Sequence, residues 1–343
     1  MLAGTALAAV LVLLVEIRAE TDKAGGTEKS GEMSTEENSD DRASGDGERK
    51  FREIRSRADF APEKWNEGRI LYDGNYYRYR YDVKSYLFMG IDNDGKAEPA
   101  SDGISGGQSD AMFLLVLDKE NRDMKLISIN RNTIVPVDVY DEEGNHLLQM
   151  DLQICLQHGY GDGMKLSCMR TVDAVNRLFG NISVDGYMAL NIGGMAAVND
   201  AVGGVELTPI ESVKRGDVVI QKGEPVKLSG EQAYVYLRTR DVDEFGSANM
   251  RLKRQEQYIG AFAKKILNNP GLAGKVYDAG ADYIVASIDL PKLVNDAREL
   301  YFDEDGIVDI PGESELKDDF ERYNIDEDGF IRLIIDTFYE KEI

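Results

Sequence analysis

Between positions 238 and 254 the chain gathers Arg238, Arg240, Arg251, Lys253 and Arg254, with Gln255 following at once. The chain as a whole carries a net charge of −23, from 63 Asp and Glu against 40 Lys and Arg. Positive charge concentrated in one segment of so acidic a chain calls for an anionic partner. The guanidinium suits that task, because its planar fork of N–H donors matches phosphate and carboxylate oxygens in pairs. On a helix over 249–267, turning about 100° per residue, Ile259, Phe262, Ala263 and Ile266 form an apolar stripe. Arg251, Gln255 and Tyr258 extend that stripe toward the helix N-terminus, Arg254 lies at its edge, and Lys253 points the opposite way. Guanidinium groups turned inward are costly unless something neutralises them. Two arrangements would do so: a bound phosphate or carboxylate, or structural pairs with acids such as Asp241, Asp243 and Glu244. Arg238 and Arg240 share a side if the chain is extended there.

The elements that must position these groups alternate between extended and helical patterns. Apolar runs at 86–91, 111–117 and 124–129 read as buried strands, and the Gly- and Asp-rich stretch 92–110 reads as a loop. A helix is predicted over 168–179, with Ser167 as N-cap and Gly180 as stop. A strand at 187–191, a helix at 194–201 and a short strand after Gly203-Gly204 follow. Ser229-Gly-Glu-Gln232 is a capping box opening a helix that leads to the arginines. Further helices are expected near 290–301 and 326–339. Mixed strands and helices over residues 59–343 imply an α/β fold, a three-layer α-β-α sandwich around a mixed sheet. Polar groups then fall at strand ends: Asp92 after the first strand, Gln108-Ser-Asp110 before the second, and Asn130-Arg131-Asn132 after the third. Strand ends are where α/β sheets bind ligands. Two carboxylates and several guanidinium groups in one crevice would suit a metal-bound pyrophosphate.

Composition narrows the partners. A pI near 4.5 argues against nucleic acid, whose phosphates require a basic face. Residues 2–15 form an apolar to weakly polar run, shorter than the roughly 20 residues of a full span. This run is expected to be a truncated membrane anchor; the h-region of a signal peptide and a buried core helix are the alternatives. Residues 16–58, rich in Glu, Asp, Ser, Thr, Gly and Lys, are expected to be a disordered tether. The bulk of the chain then lies outside a single-pass anchor. Cys155 and Cys168 are either a disulfide of an exported domain or two buried thiols, and with His146 and His158 they match no zinc spacing. Asp303-Glu-Asp-Gly306 and Asp326-Glu-Asp-Gly329 lack the spacing of a calcium loop and read as turns or helix starts.

In their order, Gly90-Ile-Asp92, Ser109-Asp110, Ser128-Ile-Asn-Arg131, Asn199-Asp-Ala-Val-Gly-Gly-Val205, Leu228-Ser-Gly-Glu-Gln-Ala233, Arg238-Thr-Arg240 and Arg251-Leu-Lys-Arg254-Gln255 resemble the LytR-CpsA-Psr family of cell-wall phosphotransferases. The resemblance covers residues 86–266. It implies transfer of a phosphate-linked glycopolymer from an undecaprenyl-pyrophosphate carrier to a sugar hydroxyl of peptidoglycan, with the domain outside the membrane. It implies Mg²⁺, or Mn²⁺, at Asp92 and Asp110, and pyrophosphate held by Arg131, Arg238, Arg240, Arg251, Arg254 and Gln255. It also implies an apolar tunnel for the polyprenyl chain, lined by the helix that bears Ile259 and Phe262. Two positions depart from the family pattern: Gln108 stands where an arginine is common, and Asn132 where an aspartate is common. Those departures leave open a non-catalytic protein that binds lipid pyrophosphates or wall glycans; a third reading is an acidic adhesin that uses the stalk.

Overall fold

Three apolar runs pair into the middle of one sheet because both of their faces are apolar and must be covered. In the computed structural model these are β1 (Lys84–Ile91), β2 (Ser109–Asp118) and β3 (Asp123–Ile129). The structure describes residues 51–60, 68–241, 244–269, 272–288, 293, 297, 300–301, 307–318 and 320–342. The central sheet adds β4 (Gly186–Asn191), β5 (Ile284–Ala286) and β6 (Ile307–Asp309), in the order β5-β4-β1-β2-β3-β6. β1 runs antiparallel to β2 and parallel to β4, while β3 runs antiparallel to β2 and parallel to β6. The mixed pairing has one consequence for function. The C-terminal ends of β1, β3 and β4 and the N-terminal start of β2 all meet at the same edge of the sheet.

Helices cover both faces. Leu87, Met89, Met112, Leu114 and Ile127 pack against α1 (Lys165–Leu178) and α6 (Glu327–Phe338) through Val175, Leu178, Phe330 and Ile334. On the other face, Tyr86, Phe113, Leu115 and Leu126 meet Leu293, Ala297 and Leu300, with Leu252 and Ile259 of α4 (Ser247–Asn268) beside them. A smaller core joins α2 (Met195–Ala201), α3 (Gly230–Arg238) and α5 (Ala273–Gly280) to two short hairpins and to Tyr258 of α4. Among the described residues no helix is long and apolar enough to cross a membrane.

Several expectations change. α1 starts at Lys165 rather than after Ser167, because Asp162 Oδ1 accepts the Met164, Leu166 and Ser167 N–H groups at 2.8, 2.9 and 3.1 Å and caps the helix earlier. Cys155 and Cys168 are free and buried, so there is no disulfide between them; the Cys168 thiol instead lies 3.7 Å from His158 Nε2. Among the described residues, Arg52 and Glu53 pair with Ile70 and Leu71 and Ile54 is buried, within the stretch expected to be tether. The expected anchor over 1–15, most of the tether and most of the 290–301 helix lie outside the described residues. A hairpin of Ile134–Tyr140 and His146–Gln153 was not expected; its second strand is exposed over most of its length and lacks the buried runs that reveal the central strands.

Candidate functional site

The sheet edge gathers the expected residues, and local backbone devices aim them. Gly90 pairs with Ala111 and Ile91 with Ser109, so Asp110 is the extra residue of a β-bulge. A bulge turns two consecutive side chains toward one face, and here Asp110 and Ala111 both face the cavity under α4. Asp92 is held at the end of β1 by its N–H, which donates to the Gln108 carbonyl at 2.9 Å. α3 opens on the expected capping box, with Ser229 and Gln232 bonded reciprocally, and its last residue is Arg238.

The motifs without charge do the positioning. Asn199 is fully buried; its Nδ2 donates to the Leu228 carbonyl at 2.9 Å, while its Oδ1 accepts from Val205 N–H at 3.2 Å and Tyr258 O–H at 3.0 Å. One side chain thereby ties α2, the approach to α3, and α4. At Gly230 an added Cβ would stand 2.6 Å from the Ala196 carbonyl. Glycine lets α3 pack that closely on α2.

Two carboxylates organise the arginines. Asp110 lies between Arg131, whose Nη1 is 3.0 Å from Oδ1, and Arg251, whose Nη1 donates to Oδ2 at 2.8 Å. The Asp110, Arg131 and Arg251 side chains are only 15%, 11% and 5% exposed. Burial pulls the Arg251 guanidinium down to about 10, so it stays charged at neutral pH. Asp92 pairs with Arg238 Nη2 at 2.9 Å, and Asp94 takes Arg238 Nη1 on both oxygens at 2.5 and 2.6 Å. Arg238 is raised well above its ordinary value: burial opposes this, but its hydrogen bonds to Asp94 and Tyr234 and the charge of Asp92 outweigh it.

These groups line a polar crevice of about 450 Å³, formed by Asp92, Gln108, Asp110, Arg131, Arg215, Arg238, Thr239, Arg240 and Arg251. Five cations face two carboxylates there, which suits an anion in an otherwise acidic protein. Asp92, Asp110, Arg238 and Arg251 also line a second cavity of about 280 Å³ that runs between the sheet and α4. Its other walls are apolar, among them Phe88, Phe113, Leu126, Leu190, Ile259 and Phe262. The channel meets the crevice at Asp92, Asp110, Arg238 and Arg251, and Gly90 and Ala111 line the channel, where an added Gly90 Cβ would sit 3.2 Å from the Ala111 Cβ.

Two expected phosphate ligands are placed elsewhere. Arg254 turns away from the crevice: Nη1 donates to the Tyr236 carbonyl at 2.6 Å, Nη2 to the Thr239 carbonyl, and Nε lies 3.0 Å from Glu211 Oε2. It closes the C-terminal end of α3, where the last helical carbonyls lack partners, and so orients Arg238 and Arg240 without lining the crevice. Gln255 lines the apolar cavity, and its Nε2 reaches the Leu237 carbonyl at 3.4 Å. Lys253 points away as expected, to Glu256 and Asp309.

The two departures separate in the same way. Asn132 is buried outside the crevice, where its Oδ1 accepts from Gln153 Nε2 at 3.0 Å. Gln108 is in the crevice and its Oε1 accepts from Arg131 Nη2, a donor that also lies 3.0 Å from the Cys155 sulfur. Cys155, Asp94, Tyr234 and Arg215 belong to the site but carried no motif. Asp94, two residues beyond Asp92, and Tyr234, the residue after Ala233, lay close enough in sequence to be found.

A basic crevice opens onto an apolar channel at the edge of a mixed α/β sheet, a shape and charge that suit an amphiphile with an anionic head. The LytR_cpsA_psr family model matches residues 60–330, and the chain belongs to that family. It is 30% identical over 190 residues to Biofilm regulatory protein A of Streptococcus mutans, covering 53% of this chain and 44% of that protein. It is also 30% identical over 196 residues to the polyisoprenyl-teichoic acid–peptidoglycan teichoic acid transferase TagV of Bacillus subtilis, covering 55% of this chain and 45% of the relative. The chain thus spans about half the length of the curated relatives it matches. The crystal structure of B. subtilis TagV shares the fold, with a TM-score of 0.56 at 21% identity over 74% of this chain and 95% of that one.

Proposed function

We propose that the protein transfers a phosphate-linked glycopolymer from a polyprenyl-pyrophosphate carrier to a sugar hydroxyl of peptidoglycan. Four buried side-chain atoms carry this reading: Asp110 Oδ1, Arg131 Nε, Thr239 Oγ1 and Arg251 Nη2 all belong to crevice-lining residues and make no hydrogen bond within the protein. Leaving such atoms unmatched costs about 1–3 kcal/mol each, which supports a ligand that draws these side chains toward it. Arg251 Nη2, Arg131 Nε and Thr239 Oγ1 suit phosphate oxygens, and the adjoining apolar channel suits the prenyl chain.

The reaction asks for charge neutralisation more than covalent help. The acceptor oxygen attacks the phosphorus that carries the glycan; the bond from that phosphorus to the bridging oxygen breaks, and polyprenyl phosphate leaves. The hydroxyl proton passes to solvent or to a carboxylate at the crevice. Arg240, which has no ion-pair partner among the described residues, and Arg251 hold the non-bridging oxygens, and Arg238 is kept in place by Asp92 and Asp94.

Asp92 and Asp110 fit Mg²⁺ or Mn²⁺. Asp110 Oδ1 makes no hydrogen bond within the protein, with Arg131 Nη1 3.0 Å away, and the Asp92 side chain is 39% exposed. Among the described residues there is no cluster of three or more metal-ligating side chains. That accords with Mg²⁺, which binds through one or two carboxylates plus substrate phosphates. When bound, the ion would neutralise charge developing on the pyrophosphate oxygens. Residues 1–15 would anchor the chain in the cell membrane as a single pass, with the domain outside and residues beyond 16 serving as the tether.

A crystal soaked with a polyprenyl pyrophosphate tests the reading. Phosphates at Arg240 and Arg251 with the prenyl chain along Phe262 are expected. Phosphates elsewhere, or a channel that excludes the lipid, would refute it.

A further inference from the structure

Arg215 lies in no family motif, yet it reaches the crevice. It ends the first strand of the hairpin Val213–Arg215 and Val218–Ile220, where it pairs with Val218 across a turn whose Gly216 has φ +58°. Side chains alternate along a strand, so Arg215 takes the side of Val213, which is buried in the smaller core, while Lys214 takes the other. That phase brings its guanidinium carbon 5.5 Å from the centre of the Tyr234 ring. Arg238 lies 5.6 Å from the same ring. Arg215 is exposed and has no ion pair among the described residues, whereas Arg238, Arg131 and Arg251 are each paired with aspartate.

The two cavities give the ligand a direction. Asp92, Asp110, Arg238 and Arg251 line both cavities, whereas Arg215 lines the crevice alone. An exposed guanidinium there is placed to meet the glycan that the pyrophosphate carries. We infer that Arg215 is a specificity residue that selects glycans bearing an anionic group, phosphodiester or carboxylate, close to the reducing-end pyrophosphate. Tyr234 holds it beside Arg238 through cation–π contact. This inference rests on the pyrophosphate reading of the crevice.

The test compares three synthetic polyprenyl-pyrophosphate donors that differ only in the glycan: phosphodiester-bearing, carboxylate-bearing and neutral. Dissociation constants and release of polyprenyl phosphate are measured for the wild-type protein, Arg215→Gln and Arg215→Lys. Arg215→Gln is expected to weaken the anionic donors about two- to fivefold more than the neutral one, in line with an exposed ion pair. The lysine variant should recover part of that difference, and the difference should shrink at high salt. If only one anionic donor responds, that group is the one selected. Equal losses for all three donors, or no loss for any, would overturn the assignment. Wild-type protein that binds donors without releasing polyprenyl phosphate would count against the proposed transfer, while the binding comparison would still decide the role of Arg215. Wild-type protein that binds no donor would overturn both.

Discussion

Asp110 Oδ2 accepts a hydrogen bond from Arg251 Nη1 at 2.8 Å, joining the bulge at the start of β2 to the first turns of α4. The bond clamps the helix onto the sheet edge where crevice and channel meet. Replacing Asp110 with alanine leaves the buried Arg131 and Arg251 without their counter-charge. Breaking such a pair from one side costs about 3–5 kcal/mol, so Asp110→Ala should lower the denaturant midpoint strongly as well as abolish turnover. Asp110→Asn should unfold less readily but stay inactive, which equilibrium unfolding and a turnover assay together would show.

Arg254 and Arg240 should behave as opposites. Removing the Arg254 guanidinium leaves the Tyr236 and Thr239 carbonyls unpartnered, and a charge-assisted bond of this kind contributes about 1.5–3 kcal/mol. Arg254→Ala is therefore expected to lose stability and to impair donor binding only through α3. Arg240 has no ion pair to lose among the described residues, so Arg240→Ala should keep its unfolding midpoint and weaken the donor about tenfold or more. Calorimetry for stability and donor titration for affinity separate the two.

Much of this site was legible because its chemistry sits at strand ends, where burial of the preceding run fixes the register. Asp92, Asp110 and Arg131 came from that logic, and helical phase correctly turned Lys253 away from Arg251. The same phase placed Arg254 at the edge of the stripe but could not say which partner it would find, because the Tyr236 and Thr239 carbonyls are backbone atoms that leave no mark in sequence. Arg215 and Cys155 escaped for a related reason: one lines the crevice and the other touches Arg131, each from an element whose packing partners lie far away along the chain. The bulge at Asp110 carries no glycine or proline that would have betrayed it.

His158 is buried, and desolvation holds its pKa below the ordinary 6.5. Its Nδ1 donates to the Gly106 carbonyl at 2.9 Å, in the loop that leads to Gln108. The unfolded chain therefore takes up a proton more readily than the folded one, so the stability this group contributes is full above pH 6.5 and is lost as the pH falls from there toward the folded-state value. Chemical unfolding from pH 8 to 5 should show wild-type stability declining below 6.5, with a shallower decline in His158→Gln.

The channel should discriminate by chain length. Gly90 and Ala111 line the channel, and Gly90→Val or Ala111→Leu would narrow it, since a Cβ added at Gly90 would already stand 3.2 Å from that of Ala111. Either change should weaken a long-chain polyprenyl donor about tenfold relative to a water-soluble short-chain analogue. Competition binding with donors of two chain lengths checks this, with circular dichroism confirming that each variant is folded.

The central claim is most directly tested by following phosphorus through the reaction. Purified protein with Mg²⁺, a polyprenyl-pyrophosphate-linked glycan and peptidoglycan fragments would be monitored by ³¹P NMR. Loss of the pyrophosphate signals, with equal growth of a polyprenyl monophosphate and a glycan phosphodiester, both absent with Arg251→Ala, is the expected result. Pyrophosphate signals that persist while the donor stays bound, or inorganic phosphate in place of the phosphodiester, would contradict it.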